Sequence, residues 1–197
     1  MLVFYKERLV FLAVPKTGST AYHSALSSRA DIVISNPPDL KHTPVYRYDR
    51  FFRPIFEKVC GVEMETIAVV REPVDWIGSW YRYRRRPSMK EHPHATHHLT
   101  FDQFVQGYLK GQRPGYADVG SQARFLAARP GGKGITRLFR YEDPDTLQHF
   151  LKDRLGCFVE TKRENVSPAM PLSLSSDLEQ RYRRKHAEEF SIYASTG

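Results

Sequence analysis

The chain has 197 residues, with 30 Lys and Arg against 22 Asp and Glu, which gives a formal net charge of +8. This length is typical of one domain, and the 41% of hydrophobic residues excludes intrinsic disorder. Two cysteines, Cys60 and Cys157, are too few for a disulfide framework. The positive charge indicates an anionic partner.

The apolar segments near the start of the chain are too short to cross a membrane. The longest of them, residues 9–14, is also shorter than the core of a signal peptide. We therefore expect a cytoplasmic protein that has no membrane partner.

Four apolar segments predict strands. Residues 8–14 form an uninterrupted run that is typical of a strand buried on both faces, and helical spacing follows over 21–26. Further strands are predicted over 31–35, 65–71 and 134–139. The third of the four strands is followed by Pro73, which is favourable at the first position of a helix.

Helix signals dominate the second half of the chain. Thr100 and Gln103 form a capping-box pattern ahead of an amphipathic segment. Pro144 begins and Gly156 ends another predicted helix, and Ser176 is the predicted cap of the last helix. Strands that alternate with helices predict an α/β protein with a parallel sheet covered on both sides.

The loop after the first strand, residues 15–20, has the sequence Pro-Lys-Thr-Gly-Ser-Thr. Backbone N–H groups at the start of a helix bind anions, and small residues let a phosphate approach them. Lys16 adds a positive charge, and Thr17, Ser19 and Thr20 add hydroxyl donors. An ordinary strand–helix turn is the alternative, because motifs this short occur by chance.

The loop does not fit a nucleoside-triphosphate P-loop. That pattern, aligned on Lys16 and Thr17, requires glycines where Val10 and Pro15 stand. Arg71 also follows the third strand, where such enzymes carry an Asp near magnesium. Both departures disfavour a nucleotide or sugar kinase, which remains the alternative function. We predict that no metal is required.

Arg71 and Ser79 form the second candidate constellation. Arg71 ends a predicted central strand, where the ligands of open α/β sheets collect, and Ser79 lies eight residues later in a predicted helix. An Arg fork and a Ser hydroxyl hold a terminal phosphate without a metal. A surface ion pair of Arg71 with Glu72 or Asp75 is the alternative interpretation.

Together the two motifs resemble the sulfotransferases that use 3′-phosphoadenosine 5′-phosphosulfate (PAPS). In that family a similar loop after the first strand binds the 5′-phosphosulfate, and an R-x-P-x-x-R-x-x-S-x-Y segment binds the 3′-phosphate. The residues that match at the family's spacing are Pro15, Lys16, Thr17, Gly18, Ser19, Thr20, Arg71, Pro73, Ser79 and Tyr81. Segments 122–126, 141–143, 165–167 and 190–193 also look like family segments, so the resemblance covers nearly the whole chain.

The resemblance implies a P-loop nucleoside-triphosphate-hydrolase-like fold, with three α/β/α layers and a central, mostly parallel sheet. It implies one sulfotransferase domain over residues 1–197, with a polar, basic insertion at about 82–118. It assigns PAPS binding to Lys16, Thr17, Gly18, Ser19, Thr20, Arg71 and Ser79. Lys16 is also the catalytic residue that meets the charge growing on the leaving nucleotide.

The acceptor of the sulfuryl group is a hydroxyl or an amine, with carbohydrates among the candidates. We expect residues 36–60 and 82–118 to shape its pocket. The chain departs from the family at Trp76, where the family has its second Arg. Arg84, Arg85 or Arg86 is expected to replace that cation.

The acceptor also needs a base, and His42 is the first candidate. Its ordinary pKa of about 6.5 lets it accept a proton near neutral pH, and the family often draws its base from this part of the fold. Glu72, Asp75 and His23 are the reserve candidates. A histidine that only bridges polar groups of its loop is the alternative.

Two other clusters have plainer explanations. Four histidines at positions 92, 94, 97 and 98 lie in a polar segment without the spacing of a metal site, so we predict a solvated loop. The basic run 82–86 would suit a nucleic-acid-binding domain, but a role near the nucleotide or an acidic acceptor explains it equally well. We predict no nucleic-acid partner.

Overall fold

One open sheet of five strands organises the fold. The computed structural model describes all residues except 157, 160 and 162–169. The strands lie in the order β3-β1-β2-β4-β5. Their bounds are β1 Leu2–Phe4, β2 Leu9–Leu12, β3 Ile32–Val33, β4 Glu65–Val70 and β5 Arg137–Arg140.

The sheet is mixed, which corrects the prediction of a mostly parallel one. Strand β4 is parallel to β2 and β5, whereas β1 is antiparallel to both β2 and β3. Strand β1 was not among the strands predicted from the sequence. Val3 of β1 pairs with Val10 of β2 across a short turn, and so short a connection joins only antiparallel neighbours. The α/β class itself is confirmed.

The described residues form nine α-helices. Two short π-helical segments, Tyr48–Phe52 and Ile55–Val59, precede β4. The α-helices are α1 Ser19–Leu26, α2 Pro38–Lys41, α3 Val45–Arg47, α4 Pro73–Tyr83, α5 Phe101–Tyr108, α6 Gln122–Leu126, α7 Pro144–Leu155, α8 Ser176–Lys185 and α9 Ala187–Ala194. Within the described part of the chain, no helix is long and apolar enough to cross a membrane.

Local capping signals fix several helix ends. The predicted capping box forms at α5, where the Thr100 hydroxyl accepts from the Gln103 amide and the Gln103 side chain accepts from the Thr100 amide. Gly156 ends α7 in the left-handed conformation, with φ of 65°. The prediction for Ser176 is wrong by one residue, because Ser175 occupies the cap position of α8.

The strands divide their side chains between two buried clusters. Val10 and Leu12 join one cluster with residues of α3, α6 and the π-helical segments. Leu9 and Phe11 join the other with residues of α1 and α7. Successive strand residues point to opposite faces, so both faces of the sheet are covered. This burial holds the carboxyl ends of β2 and β4 in place.

A third buried cluster lies beside the sheet and includes part of segment 82–118. Helix α5 packs Phe104, Val105 and Tyr108 against residues of α4 and α8. The aromatic side chains of this segment therefore contribute to the core.

Candidate anion-binding site

The loop between β2 and α1 has a backbone suited to an anion. Lys16 and Gly18 both adopt positive φ angles, 67° and 74°. The Thr17 hydroxyl donates to the Val14 carbonyl at 2.9 Å, which closes the turn. Gly18 is the cap residue of α1, and no described side chain caps this helix end. The Ala21 amide donates to the Gly18 carbonyl at 3.0 Å, whereas no described residue accepts from the amides of Ser19 and Thr20, which are left to a ligand or to solvent.

The conformation of the loop requires a glycine at position 18 for two reasons. Its φ of 74° is one that side chains rarely adopt, and a Cβ there would lie 3.2 Å from the Tyr141 ring. Tyr141 follows β5, and its ring lies 4.2 Å from the guanidinium carbon of Arg71. Tyr141 had no predicted role, although segment 141–143 resembles the family, because only the neighbouring strands bring this residue to the loop.

Arg71 connects the two sequence motifs. It follows the end of β4, and its Nη1 donates to the Lys16 carbonyl at 3.1 Å. Its Nε and Nη2 contact Asp75 Oδ2 at 2.7 and 2.6 Å. The ion pair considered as the alternative for Arg71 therefore forms, and it orients the guanidinium at the loop.

Asp75 also holds Arg82, with 2.7 Å between Oδ1 and Arg82 Nη2. Burial by itself would raise the pKa of Asp75, but the hydrogen bonds and charges of the two arginines outweigh it and lower the pKa. Residues 75, 79 and 82 lie on one face of α4, because helical positions four and seven apart coincide. Arg82 is therefore brought next to Arg71.

Lys16 lies within a group of cations and aromatic rings. Its Nζ is 4.2 Å from the centroid of the Tyr83 ring and 5.4 Å from that of Trp80. Burial, followed by the charges of Arg86, Arg71 and Arg82, lowers its pKa to about 7. No described carboxylate forms an ion pair with Lys16. Four positive side chains therefore lie near this loop, and the carboxylate of Asp75 offsets part of the charge of two of them, Arg71 and Arg82.

Trp76 does not supply the cation that the family has at its position. It is buried, and its Nε1 donates to the Pro15 carbonyl at 2.9 Å. This hydrogen bond attaches α4 to the loop. Ser79, one turn later in α4, is also buried. Position 76 therefore has a structural contact in this chain and supplies no positive charge to the site.

The three arginines expected to replace that cation differ in their positions. Arg84 donates to the carbonyls of Gly115 and Asp118, and Arg85 donates to the Tyr81 hydroxyl and to loop carbonyls. The guanidinium groups of both arginines are therefore engaged in hydrogen bonds within the protein. Arg86 is close enough to lower the pKa of Lys16. Arg82, which had no such assigned role, lies beside Arg71.

His42 lies next to the loop in a defined tautomer. Its Nδ1 is 2.7 Å from the Ala13 carbonyl, which only accepts, so Nδ1 carries the proton. No described residue forms a hydrogen bond with Nε2. Burial is the main cause that lowers its pKa, so the ring is neutral at pH 7 with a lone pair on Nε2. Lys41 Nζ joins this segment to the Thr20 hydroxyl at 3.4 Å.

The reserve bases are engaged in other contacts. His23 Nε2 lies 3.0 Å from the Met1 nitrogen, and burial, with nearby positive charges, lowers the His23 pKa to about 4. The Glu72 carboxylate caps α4 by accepting from the Asp75 amide at 2.8 Å. Asp75 is held by two arginines. His42 stays the first candidate, because no described residue forms a hydrogen bond with its Nε2 and Lys41 joins its segment to the loop.

A cleft of about 550 Å³ adjoins the loop. It is lined by residues from the loop, from the segment before α3, from α4 and from the segment around α6: Val14, Pro15, Pro44, Tyr46, Trp76, Val119, Gly120, Ser121, Arg124, Phe125 and Ala127. Pro44 and Tyr46 belong to segment 36–60, and none of the lining residues belongs to segment 82–118.

Gln122 of α6 fixes one side of the site. Its side chain accepts from the Arg71 amide and donates to the Arg71 carbonyl, both at 2.8 Å. The predicted segment 122–126 is therefore attached to the end of β4. Segment 165–167 lies outside the described residues.

Of the four histidines predicted to lie in a solvated loop, His92 and His98 are exposed, whereas His94 and His97 are half-buried. The His92 and His94 rings lie 5.1 Å apart. Across the described residues, no group of three or more His, Cys, Asp or Glu side chains is arranged to hold a metal ion.

The chain matches no protein-family model and no curated protein.

Proposed function

We propose that the chain is a PAPS-dependent sulfotransferase that transfers a sulfuryl group to a hydroxyl or amine and releases adenosine 3′,5′-bisphosphate. One observation carries the proposal. Arg71, Arg82 and Arg86 lie close enough to Lys16 to lower its pKa, at a loop whose helix end is uncapped among the described residues. Such an arrangement suits a small ligand with several negative charges.

The two ends of the nucleotide have separate partners in this proposal. Lys16, with the N–H groups that start α1, holds the 5′-phosphosulfate. Arg71 and Ser79 hold the 3′-phosphate, and Arg82 supplies the second cation there. Asp75 keeps both guanidinium groups in place before the nucleotide arrives.

Transfer requires charge stabilisation and a proton acceptor. The acceptor oxygen or nitrogen bonds to sulfur while the bond from sulfur to the phosphate oxygen breaks, and that oxygen keeps the electron pair. Lys16 stabilises the charge that grows on it. The proton of the acceptor passes to His42 Nε2, which is supported by the Nδ1–H tautomer and the neutral ring.

The proposal includes the three-layer, P-loop-like form of the fold. Two buried clusters on opposite faces of the sheet support it, one with α1 and α7 and the other with α3 and α6. The anion loop lies between β2 and α1, where P-loop-like folds bind phosphate.

The alternatives have less support. A kinase would need an acidic residue near magnesium, where this chain has Arg71. A nucleic-acid-binding domain would need the basic run 82–86 on the surface, yet Arg84 is only 9% exposed and donates to backbone carbonyls. Neither alternative explains the anion loop together with the Arg71 contact to it.

Calorimetric titration separates the three possibilities. The protein is titrated with adenosine 3′,5′-bisphosphate in EDTA and in magnesium, and separately with ATP–magnesium and a short oligonucleotide. We expect metal-independent binding of the bisphosphate that weakens at least about tenfold, or about 1.4 kcal/mol, in Arg71→Ala. Arg129→Ala, at an exposed position, is the matched control. Tight ATP–magnesium binding without bisphosphate binding would overturn the proposal.

A further inference from the structure

The cleft beside the anion loop has the size of a small-molecule site. Its volume of about 550 Å³ lies within the range of about 300–1,000 Å³ that is usual for such sites. Pro15 and Trp76 line it, and the Trp76 indole donates to the Pro15 carbonyl. The cleft therefore shares a wall with the loop.

Two residues that line the cleft are close in sequence to Lys16 and His42, although neither Lys16 nor His42 is itself among the lining residues. Pro15 directly precedes Lys16 in the chain, and Pro44 lies two residues after His42. A molecule in the cleft is therefore next to the segments that carry the leaving-group lysine and the proposed base.

The walls of the cleft are flat and mostly apolar. Pro44, Tyr46 and Phe125 contribute rings, and the Tyr46 side chain is 41% exposed at this surface. Flat apolar surfaces of this kind pack against the apolar face of a ligand ring.

Arg124 is the single charged residue among those that line the cleft. It lies on α6, where its amide donates to the Ser121 hydroxyl at 3.1 Å. No described residue forms an ion pair or hydrogen bond with its guanidinium. A planar fork of donors without a partner, at the edge of an apolar cleft, matches a carboxylate.

We infer that the acceptor is a small molecule with a ring that has an apolar face, a free hydroxyl and a carboxylate. Arg124 binds the carboxylate, and Tyr46 and Pro44 contact the ring. The inference rests on the proposed function, because it takes the cleft as the acceptor side of the same site. A uronic acid and a phenolic acid both carry this chemistry, so the test includes both.

The test measures ligand binding and requires no turnover. Methyl β-glucuronide and 4-hydroxybenzoate are the carboxylate probes, and methyl β-glucoside is the probe without a carboxylate. Dissociation constants are measured by ligand-observed NMR in the presence of adenosine 3′,5′-bisphosphate and in its absence. We expect at least one carboxylate probe to bind about tenfold more tightly than the glucoside, and the tighter of the two identifies the source.

Arg124→Gln should remove that preference and leave the affinities for the glucoside and the bisphosphate unchanged. Arg124 is exposed, so the substitution leaves the fold intact, which a thermal melt checks. Arg129→Gln is the matched control. Tyr46→Ala should weaken all the ring probes that bind, whether or not they carry a carboxylate.

The outcomes separate this inference from the proposed function. If the bisphosphate binds but no carboxylate probe is preferred, or if the preference survives in Arg124→Gln, the inference about the acceptor is overturned and the nucleotide site stands. If the carboxylate preference depends on Arg124 but the bisphosphate does not bind, the sulfotransferase proposal is overturned and the acid-binding cleft stands.

Discussion

The guanidinium of Arg71 donates to the backbone carbonyl of Lys16, with 3.1 Å between Nη1 and the oxygen, across 55 residues of sequence. This bond joins the end of β4 to the anion loop. Asp75 holds the same guanidinium from another side, and the Tyr141 ring lies 4.2 Å from its central carbon. Arg71 is therefore positioned before any ligand binds, which reduces the entropy that binding must overcome.

Arg82→Met should weaken binding of adenosine 3′,5′-bisphosphate about tenfold and leave binding of adenosine 5′-monophosphate nearly unchanged. The reason is that Arg82 lies beside Arg71, at the proposed 3′-phosphate, and the monophosphate lacks that group. Titration of both nucleotides into the variant measures the difference. The control is Arg85→Met, whose lost contacts to Tyr81 and loop carbonyls should lower stability without changing the ratio of the two affinities. An equal loss for both nucleotides in Arg82→Met would contradict the assignment.

Binding of the bisphosphate at pH 8 should be accompanied by the uptake of close to one proton. A basic group with a pKa near 7 is mostly neutral at pH 8, and a bound anion raises its pKa so that the group becomes protonated. The group is Lys16, whose pKa burial and neighbouring cations lower to about 7 in the free protein. The phosphates are already fully ionised at pH 8, because their second pKa is about 6.

Proton uptake is measured by calorimetry in buffers of different ionisation enthalpy. Lys16→Met should abolish the uptake and weaken binding, and Lys58→Met, at an exposed position, should change neither. Uptake that persists in Lys16→Met would show that another group titrates.

His42 should titrate below its ordinary range, with the proton of the neutral ring on Nδ1. Burial is the main cause that lowers its pKa, and the 2.7 Å contact with the Ala13 carbonyl selects the tautomer. NMR of nitrogen-15-labelled protein measures both, with His42→Gln to assign the signals. His23, whose pKa is lowered to about 4, is an internal reference for a buried ring. A proton on Nε2 at neutral pH would leave no lone pair for the acceptor and would remove the role of His42 as base.

Once an acceptor is identified, His42→Gln should lower turnover by a factor of about 10²–10⁴ with little change in nucleotide affinity. Because the pKa is lowered, activity that depends on the neutral ring should be retained near pH 7 and lost only in acid. A variant with unchanged turnover would leave the nucleotide site intact and exclude this base.

Glu189→Gln should stabilise the protein above pH 7 by on the order of 3 kcal/mol, since each pKa unit corresponds to about 1.4 kcal/mol. Burial raises the pKa of Glu189 from 4.5 to about 7, and the hydrogen bond from Tyr108 offsets this only in part. Between these two values the folded state binds more protons than the unfolded state, so the glutamate's contribution to stability falls as pH rises.

The measurement is urea unfolding of both proteins from pH 4 to 8. His186, whose pKa burial lowers to about 4, changes stability in the opposite direction, and its Nδ1 lies 3.8 Å from Glu189 Oε1, so the comparison is repeated with His186→Gln in both proteins. Glu188→Gln is the exposed control. A difference that does not depend on pH would contradict the raised pKa.

Gly18→Ala should weaken nucleotide binding by about tenfold or more. The backbone needs φ of 74°, and the added methyl group would lie 3.2 Å from the Tyr141 ring, so the loop must shift. Gly61→Ala is a matched control, because Gly61 has φ of 68° with no atom within 4 Å of the added carbon. Both variants should lose about 1 kcal/mol of stability from backbone strain, and only Gly18→Ala should lose affinity. Equal affinities would indicate that the loop does not contact the nucleotide.

Features that depend on neighbours in the chain were predictable from the sequence. The capping box of Thr100 and Gln103, the end of α7 at Gly156 and the strand–loop–helix unit around Lys16 all follow from local hydrogen bonding and hydrophobic patterning. The same local patterns picked out Arg71 as a candidate, since it directly follows an apolar strand.

Features that depend on contacts between distant segments were decided by the tertiary structure. Strand β1 forms a local hairpin with β2, but its position inside the sheet also depends on its pairing with β3, which is distant in sequence and which no local pattern encodes. The sequence identified Lys16 as a cation, but its lowered pKa comes from burial and from arginines that β4 and α4 bring to it. The charge belongs to the sequence, while its neighbours and its exposure to water, which set the energy of that charge, belong to the fold.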